Sequence, residues 1–280
     1  MNIDKPARLI VELTDRCNLN CIHCFANKHD HDLPYEKWID IFQKSIDENI
    51  SSISITGGEP LLYLDLFKIL DNIDSKSTKI TLDSNGLLID DKNIALLKKH
   101  FKLVRISIYG TNADDSKKIT NVNNYDYKKV INAIKLLSDN DVKIQINIPL
   151  FKENVINMDR IIDDLSNYNI YEIVFIPIIP IGFASTIKNN LFSDEEVKTI
   201  YEKYNNIINT KFRLFKWAEG KHFLIRADGK VYIHPFYLDN KETDLFLGNI
   251  QENSINDLWK NVEKKYKINN LTLTPKLTDL

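Results

Sequence analysis

Apolar residues recur along this chain in two rhythms. Short runs rich in Ile, Val, Leu and Phe lie at 8–14, 51–56, 78–83, 103–109, 143–150 and 172–177. Runs of this length and composition predict strands buried on both faces. Between them, stretches at 34–49, 63–72, 92–99, 125–140 and 158–168 carry apolar residues at helical spacing. After Tyr125, for example, Val130, Ile134 and Leu137 fall on one face, the stripe by which a surface helix covers a core. One more helix is expected over 193–208, with Asp91 and Ser193 standing where N-caps belong. Strands alternating with helices in this way build parallel βα units, since parallel neighbours are reached only through a crossover. The pattern predicts an α/β fold, a partial (β/α)6 TIM-like barrel over residues 1–210.

The remainder, 211–280, has a different rhythm. Short strands are expected between 212 and 250, with a hairpin turn at Ala227-Asp228-Gly229-Lys230. A helix near 254–261 has Asn253 or Ser254 as its cap, and 269–280 has little pattern. This part reads as a small α+β extension.

In parallel βα folds, sites gather at the carboxyl ends of the strands. The first strand leads into Cys17, the second ends at Thr56-Gly57-Gly58-Glu59, and the third at Asp83-Ser84-Asn85-Gly86. The fourth ends at Ser107-Ile108-Tyr109-Gly110, the fifth carries Asn147, and the sixth runs into Pro177-Ile178-Ile179-Pro180. Polar or glycine-rich ends on successive strands suggest a ligand-binding rim, although Gly86 and Gly110 serve equally well as turn formers.

All three cysteines of the chain, Cys17, Cys21 and Cys24, sit at CxxxCxxC spacing. Thiolates so close in sequence share a metal, and three of them leave one coordination position open. A disulfide would strand the third thiol. Zinc held by the three thiolates and one of His23, His29 or His31 is one reading. An iron–sulfur cluster with one iron left free for a ligand is the other.

Composition changes the picture only at its edges. A hydrophobic content of 43% supports a sizeable core, and a formal net charge of −2 gives no electrostatic reason to expect nucleic acid or an anionic membrane as partner. The longest apolar run, 171–181, is interrupted by Pro177 and Pro180 and is too short to span a bilayer. With no cleavable signal in the sequence, a cytoplasmic location is expected.

The segments LTDRCNLNCIHC (13–24) and SITGGEP (54–60), in this order and about one βα unit apart, resemble the paired signature of the radical S-adenosylmethionine (SAM) superfamily. The resemblance implies one 4Fe–4S cluster on Cys17, Cys21 and Cys24, with the amino and carboxylate groups of SAM on the fourth iron. It implies that Gly57, Gly58 and Glu59 receive the SAM amino group, and that His23, where the family usually has an aromatic residue, lies beside the adenine. Ser84, Ser107, Asn147 and Ile179 are the expected further cofactor contacts. The stretch 116–120 stands where a basic residue meets the SAM carboxylate in relatives. Lys118 could serve there, or could simply be solvated.

The run from Trp217 to Trp259 resembles the SPASM or twitch extension of radical SAM maturases, in which cysteines hold auxiliary clusters. Here Trp217 and His234 occupy two of those cysteine positions, so thiolates for a second cluster are missing. A dehydrogenase or thiol-dependent epimerase is correspondingly disfavoured, unless a residue such as Tyr109, Tyr232 or Tyr237 supplies a hydrogen atom. The resemblance implies an enzyme that cleaves SAM reductively and abstracts hydrogen from a peptide or amino-acid-derived substrate, in ribosomal peptide or natural-product maturation. Reaction on a small metabolite, and a non-catalytic iron–sulfur or zinc module, are the alternatives. An external reductant of flavodoxin or ferredoxin type is implied. Because the first strand begins near Ala7, leader recognition is expected to fall to a partner protein or to the C-terminal part.

Overall fold

In the computed structural model, residues 5–6, 8–24, 32–123, 125–178, 191–205, 210–215, 222–234 and 246–269 are described. The chain divides into two compact units. The first comprises Met1–Arg16, Ala26–Leu82 and Lys216–Asp279; the second comprises Cys17–Phe25 and Asp83–Phe215.

In the first unit, β1 (Arg8–Thr14) lies parallel between β2 (Ser52–Gly57) and β8 (His222–Ile225). Next to β2 runs β3 (Lys79–Ser84), whose last residues belong to the second unit. Beyond β8, β9 (Lys230–His234) and β10 (Phe246–Asn249) continue antiparallel, giving the order β10-β9-β8-β1-β2-β3. The expected hairpin turn joins β8 to β9, closed by Arg226 N–H donating to Lys230 O at 2.8 Å and Gly229 N–H to Arg226 O at 2.9 Å. This unit also contains α1 (Tyr35–Asp47), α2 (Leu66–Asp71) and α9 (Ile255–Asn269), the last capped by Ser254 as the sequence suggests.

The period-two pattern of the strands sorts their side chains. Leu9, Val11 and Leu13 of β1 and Ile53 and Ile55 of β2 are fully buried on one face. On the alternate positions, Glu12, Thr14, Ser54 and Thr81 are polar and nevertheless buried, with the Ser54 and Thr81 hydroxyls 3.0 Å apart. A sheet whose polar face is also shielded from water must satisfy those groups internally, by pairing or by a ligand.

The second unit repeats this logic. Its strands β4 (Leu103–Ser107), β5 (Ile144–Pro149), β6 (Glu172–Ile176) and β7 (Lys211–Leu214) are parallel and adjacent in that order. Val104, Ile106, Ile144, Ile146, Ile173 and Phe175 form the apolar face, while Arg105, Gln145, Asn147 and Glu172 are buried on the other. The helices are α3 (Ile94–His100), α4 (Ala113–Thr120), α5 (Tyr127–Asp139), α6 (Lys152–Ile156), α7 (Met158–Leu165) and α8 (Asp194–Tyr204). Along α7, Met158, Ile161, Ile162 and Leu165 form one buried stripe, each worth roughly 1.5–3 kcal/mol relative to exposure.

The six expected strands lie within a residue or two of their predicted bounds. Other details differ. The strand at 211–214 joins β6 in parallel instead of belonging to the hairpin region, because Lys211 and Arg213 close on the buried Glu172 carboxylate at 3.1 Å each. Asp91 is not a cap: α3 starts later, with Asn93 at its N-cap, after a turn in which the Asp90 carboxylate accepts from Lys92 N–H. Ser193 does cap α8, in a full capping box with Glu196. Replacing Ser193 with alanine is expected to remove about 1 kcal/mol of stability, read as a lower urea midpoint with an unchanged slope.

Candidate functional site

The signature segments fold by local rules that explain their glycines. In the first unit, β2 ends at Gly57, whose φ of +124° is a conformation that side chains disfavour. A Cβ on Gly57 would lie 2.5 Å from Thr14 O, and one on Gly58 would lie 1.9 Å from Arg16 O. The close approach is fastened by Gly58 N–H donating to Thr14 O at 2.7 Å and Glu59 N–H to Arg16 O at 2.8 Å. Both glycines therefore press the strand end against the turn that runs directly into Cys17. Glu59 is wholly buried, and its carboxylate accepts from Leu61 N–H at 3.2 Å, capping a 3-10 turn at Pro60–Leu62.

Asp32 braces the same turn. It accepts from the Thr14 hydroxyl at 2.8 Å, from Asp15 N–H at 3.1 Å, and from Arg16 Nε at 3.0 Å. The residues before and after the cysteine segment are thus tied to one carboxylate. Sequence reading passed over Asp32, which belongs to no motif.

In the second unit, Cys17, Cys21 and Cys24 are joined in no disulfide and are of intermediate exposure. Their loop is moulded on the end of α4: Asn20 N–H donates to Thr120 O and Ile22 N–H to Ile119 O, both at 2.9 Å. These carbonyls lie in the last turn of α4, where intrahelical partners run out, so one helix end and one loop satisfy each other. Leu19 N–H donates to Cys17 Sγ at 3.4 Å.

His23 packs against Phe151 and Tyr109, ring centroids 5.1 and 5.6 Å away. Burial pushes its pKa down to about 4, so the imidazole is neutral near pH 7, and its buried Nδ1 has no hydrogen-bond partner among the described residues. Tyr109 is half-buried. Burial, and then the neighbouring Cys21 sulfur, raise its phenol well above the ordinary tyrosine value, against a hydrogen bond with Ser107.

Ser84 and Ser107, at the ends of β3 and β4, and Asn147, within β5, are also placed in this unit. Ser107 and Asn147 are register partners across β4 and β5, Asn147 Oδ1 accepts from Gln145 Nε2 at 2.7 Å, and Ser84 Oγ accepts from Gly86 N–H at 3.0 Å. Lys118 is exposed and 3.5 Å from Asp115, as a solvated lysine would be. Ile179, Trp217, Tyr237, His29 and His31 lie outside the described residues, and only the backbone of His234 is described.

Three cysteines outside any disulfide on one braced loop, with no other cysteine in the chain, form a donor set that fits three corners of a cubane cluster. Such a cluster takes each thiolate on a different iron, so the sulfurs need not converge on one point. Among the described residues, no group of three or more His, Cys, Asp or Glu is placed to hold a single metal ion. No helix among the described residues is long and apolar enough to cross a membrane.

Comparison with known proteins agrees with this donor set. The family described as "Radical SAM superfamily" matches residues 11–165, more than half of the chain. A GTP 3',8-cyclase of Clostridium botulinum is 31% identical over 241 residues, covering 78% of this chain and 73% of its own. That of Clostridium perfringens is 28% identical over 211 residues, covering 72% and 64%, so this chain spans a little under two thirds of such a relative. The sporulation killing factor maturation protein SkfB of Bacillus subtilis is 24% identical over 271 residues, covering 90% and 64%. Among solved structures, SuiB of Streptococcus suis bound to S-adenosylmethionine superposes with a TM-score of 0.80 at 18% identity, covering 95% of this chain and 68% of that one. The structure titled "Native anSMEcpe with bound AdoMet" gives 0.70 at 20% identity, covering 91% and 82%. The shared fold is the α/β partial barrel expected from the strand pattern. The chain thus belongs to the radical SAM superfamily.

Proposed function

We propose that this enzyme modifies a peptide or amino-acid-derived substrate in ribosomal peptide or natural-product maturation. The observation that carries the reading is the fold likeness to SuiB bound to its precursor peptide SuiA, with a TM-score of 0.76 over 92% of this chain. Its sequence likeness to SkfB, over 90% of the chain, supports the same reading. The GTP 3',8-cyclases favour a second one, reaction on a small metabolite of nucleotide type.

In either reading, the chemistry supplied by the bound cofactors is reductive cleavage of SAM to methionine and a 5′-deoxyadenosyl radical that abstracts hydrogen. The protein's own residues position and shield. Cys17, Cys21 and Cys24 would hold the cluster, and the strand end at Gly57, Gly58 and Glu59 would meet the SAM amino group. His23 presents a neutral, apolar-packed ring suited to stacking on a purine. Ser84, Ser107, Asn147 and Ile179 would complete the cofactor contacts. Residues 1–210 would form the radical SAM domain and 211–280 a degenerate SPASM- or twitch-like extension without metal ligands, since it has no cysteine. We further place the protein in the cytoplasm, with an external flavodoxin- or ferredoxin-type reductant and a leader-binding partner protein.

The test begins with anaerobic reconstitution. About four irons and four sulfides per chain are expected, with an EPR spectrum that changes on adding SAM and 5′-deoxyadenosine released under dithionite. Stimulation of that release by candidate precursor peptides, but not by GTP, supports the first reading. Stimulation by GTP alone overturns it in favour of the second. No 5′-deoxyadenosine from a fully loaded protein would remove both.

A further inference from the structure

We propose that Asn85 is a positioning residue for Cys17, acting through Asn18 to hold the cluster at a low reduction potential. The inference rests on the assignment of Cys17 as a cluster ligand. The chain leaves β3 at Ser84 and turns at once, so Asn85 is nearly buried. Its Oδ1 accepts from Leu87 N–H at 3.0 Å. That bond decides which way the amide faces, since only the oxygen can accept. Asn85 Nδ2 is thereby turned to Asn18, and donates to Asn18 Oδ1 at 2.7 Å. One amide thus orients the next.

The same Asn18 oxygen lies 3.9 Å from Cys17 Sγ. A protonated thiol can donate weakly to it. A cluster-bound thiolate has no proton; it keeps Leu19 N–H at 3.4 Å as a donor and faces the negative end of the Asn18 amide dipole. Rotating the Asn18 amide by half a turn would put an N–H donor where the sulfur now faces oxygen. Asn85 opposes that rotation, because the two Nδ2 groups would then meet donor to donor and the 2.7 Å bond would be lost. No other hydrogen bond among the described residues holds the Asn18 side chain.

The consequence is electrostatic. N–H groups aimed at cluster sulfurs stabilise the more negative, reduced state and raise the potential, and a carbonyl end does the reverse. By keeping oxygen on the sulfur side, Asn85 keeps the reduced cluster a strong donor. Transfer of one electron to a sulfonium requires such a donor.

The experiment is an EPR-monitored redox titration of the reconstituted full chain in four forms: wild type, Asn85→Leu, Asn18→Ala and the double variant. Asn85→Leu is expected to shift the midpoint to less negative values, about tenfold in the reduced-to-oxidised ratio at fixed potential, or about 59 mV for one electron. In the Asn18→Ala background the same substitution should cause no shift, because no amide remains to rotate. An unmoved midpoint, or an equal shift in both backgrounds, overturns the proposal. Should Asn85→Leu fail to take up cluster, Asn85→Ser replaces it in both backgrounds; serine is too short to reach Asn18 but keeps an oxygen near Leu87 N–H. Iron and sulfide content separates the two levels. A wild-type chain that binds no cluster overturns the ligand assignment, whereas a full cluster with an unmoved potential overturns only the role of Asn85.

Discussion

Replacement of Gly58 by alanine is expected to slow 5′-deoxyadenosine formation about 100-fold while leaving the fold in place, the loss typical of a displacement near 1 Å at a reacting site. A Cβ at this position would stand 1.9 Å from Arg16 O, 2.4 Å from Arg16 C and 3.0 Å from Asp15 C. All three are backbone atoms, so no rotamer change relieves the overlap. The end of β2 must move away from the Thr14–Arg16 turn, breaking the bonds from Gly58 N–H and Glu59 N–H. Because Arg16 is joined to Cys17, that movement reaches the first thiolate directly. The strand interior, Ile53 and Ile55, is undisturbed, so the stability loss should stay within about 1–3 kcal/mol. Ile55→Val makes a suitable control. It removes one methylene from the same strand, destabilises by about 0.5–1.5 kcal/mol, and should leave turnover per cluster unchanged. Wild-type turnover and iron content in the Gly58→Ala protein would show that the close approach of β1 and β2 does not position the site.

That prediction depends on something the sequence did not reveal. The two glycines are legible as part of a motif, and their spacing from the cysteines points to the chemistry. What they touch is a different matter. Sequence reading assigned them to the SAM amino group, and the structure adds the backbone of Thr14 and Arg16, more than forty residues earlier. The parallel strands were legible because burial on both faces leaves long Ile- and Val-rich runs with sharp ends. Helix α4 was not, because Ala113–Thr120 is too polar to show a stripe, with Ser116, Ile119 and Thr120 its buried residues. Its importance comes from its last carbonyls, which no side-chain pattern encodes. Asp32 was passed over, and Asn85 was legible only as a strand-end residue, for a related reason: each holds residues in or beside the cysteine segment from elsewhere in the chain. Ser107 and Asn147 lie between these cases. Their places on the strands follow from the pattern, whereas their register across β4 and β5 had to be seen.

The most distant of these pairings yields the largest expected effect on stability. Glu12 of β1 and Arg226, at the turn after β8, are both buried and joined by two contacts of 2.8 Å across 214 residues of sequence. Burial pushes the Glu12 carboxyl up to about 7, outweighing the opposing pull of the guanidinium, with Asp15 and Asp228 adding to the rise. The two single deletions should therefore behave differently. Glu12→Leu takes the carboxyl from a buried guanidinium that cannot shed its proton, and is expected to lose about 3–5 kcal/mol near pH 5, a deficit that narrows toward pH 8 because wild-type Glu12, raised to about 7, itself gives up stability as pH rises. Arg226→Met leaves a carboxyl that can take up a proton instead. Its folded-state pKa then rises above about 7, further from the unfolded value of 4.5. A carboxyl raised in this way favours folding fully below its unfolded pKa, and that stability is lost as pH rises through the folded one. The Arg226→Met protein should thus approach wild-type stability near pH 5 and fall progressively behind it toward pH 8. Removing both charges, in Glu12→Leu with Arg226→Met, should recover most of the loss at all pH values, since an apolar pair needs no desolvated charge. Urea midpoints at several pH values measure all three. Parallel pH curves for the two single variants, or a double variant no better than either, would show that the pair is not a mutually compensated buried ion pair.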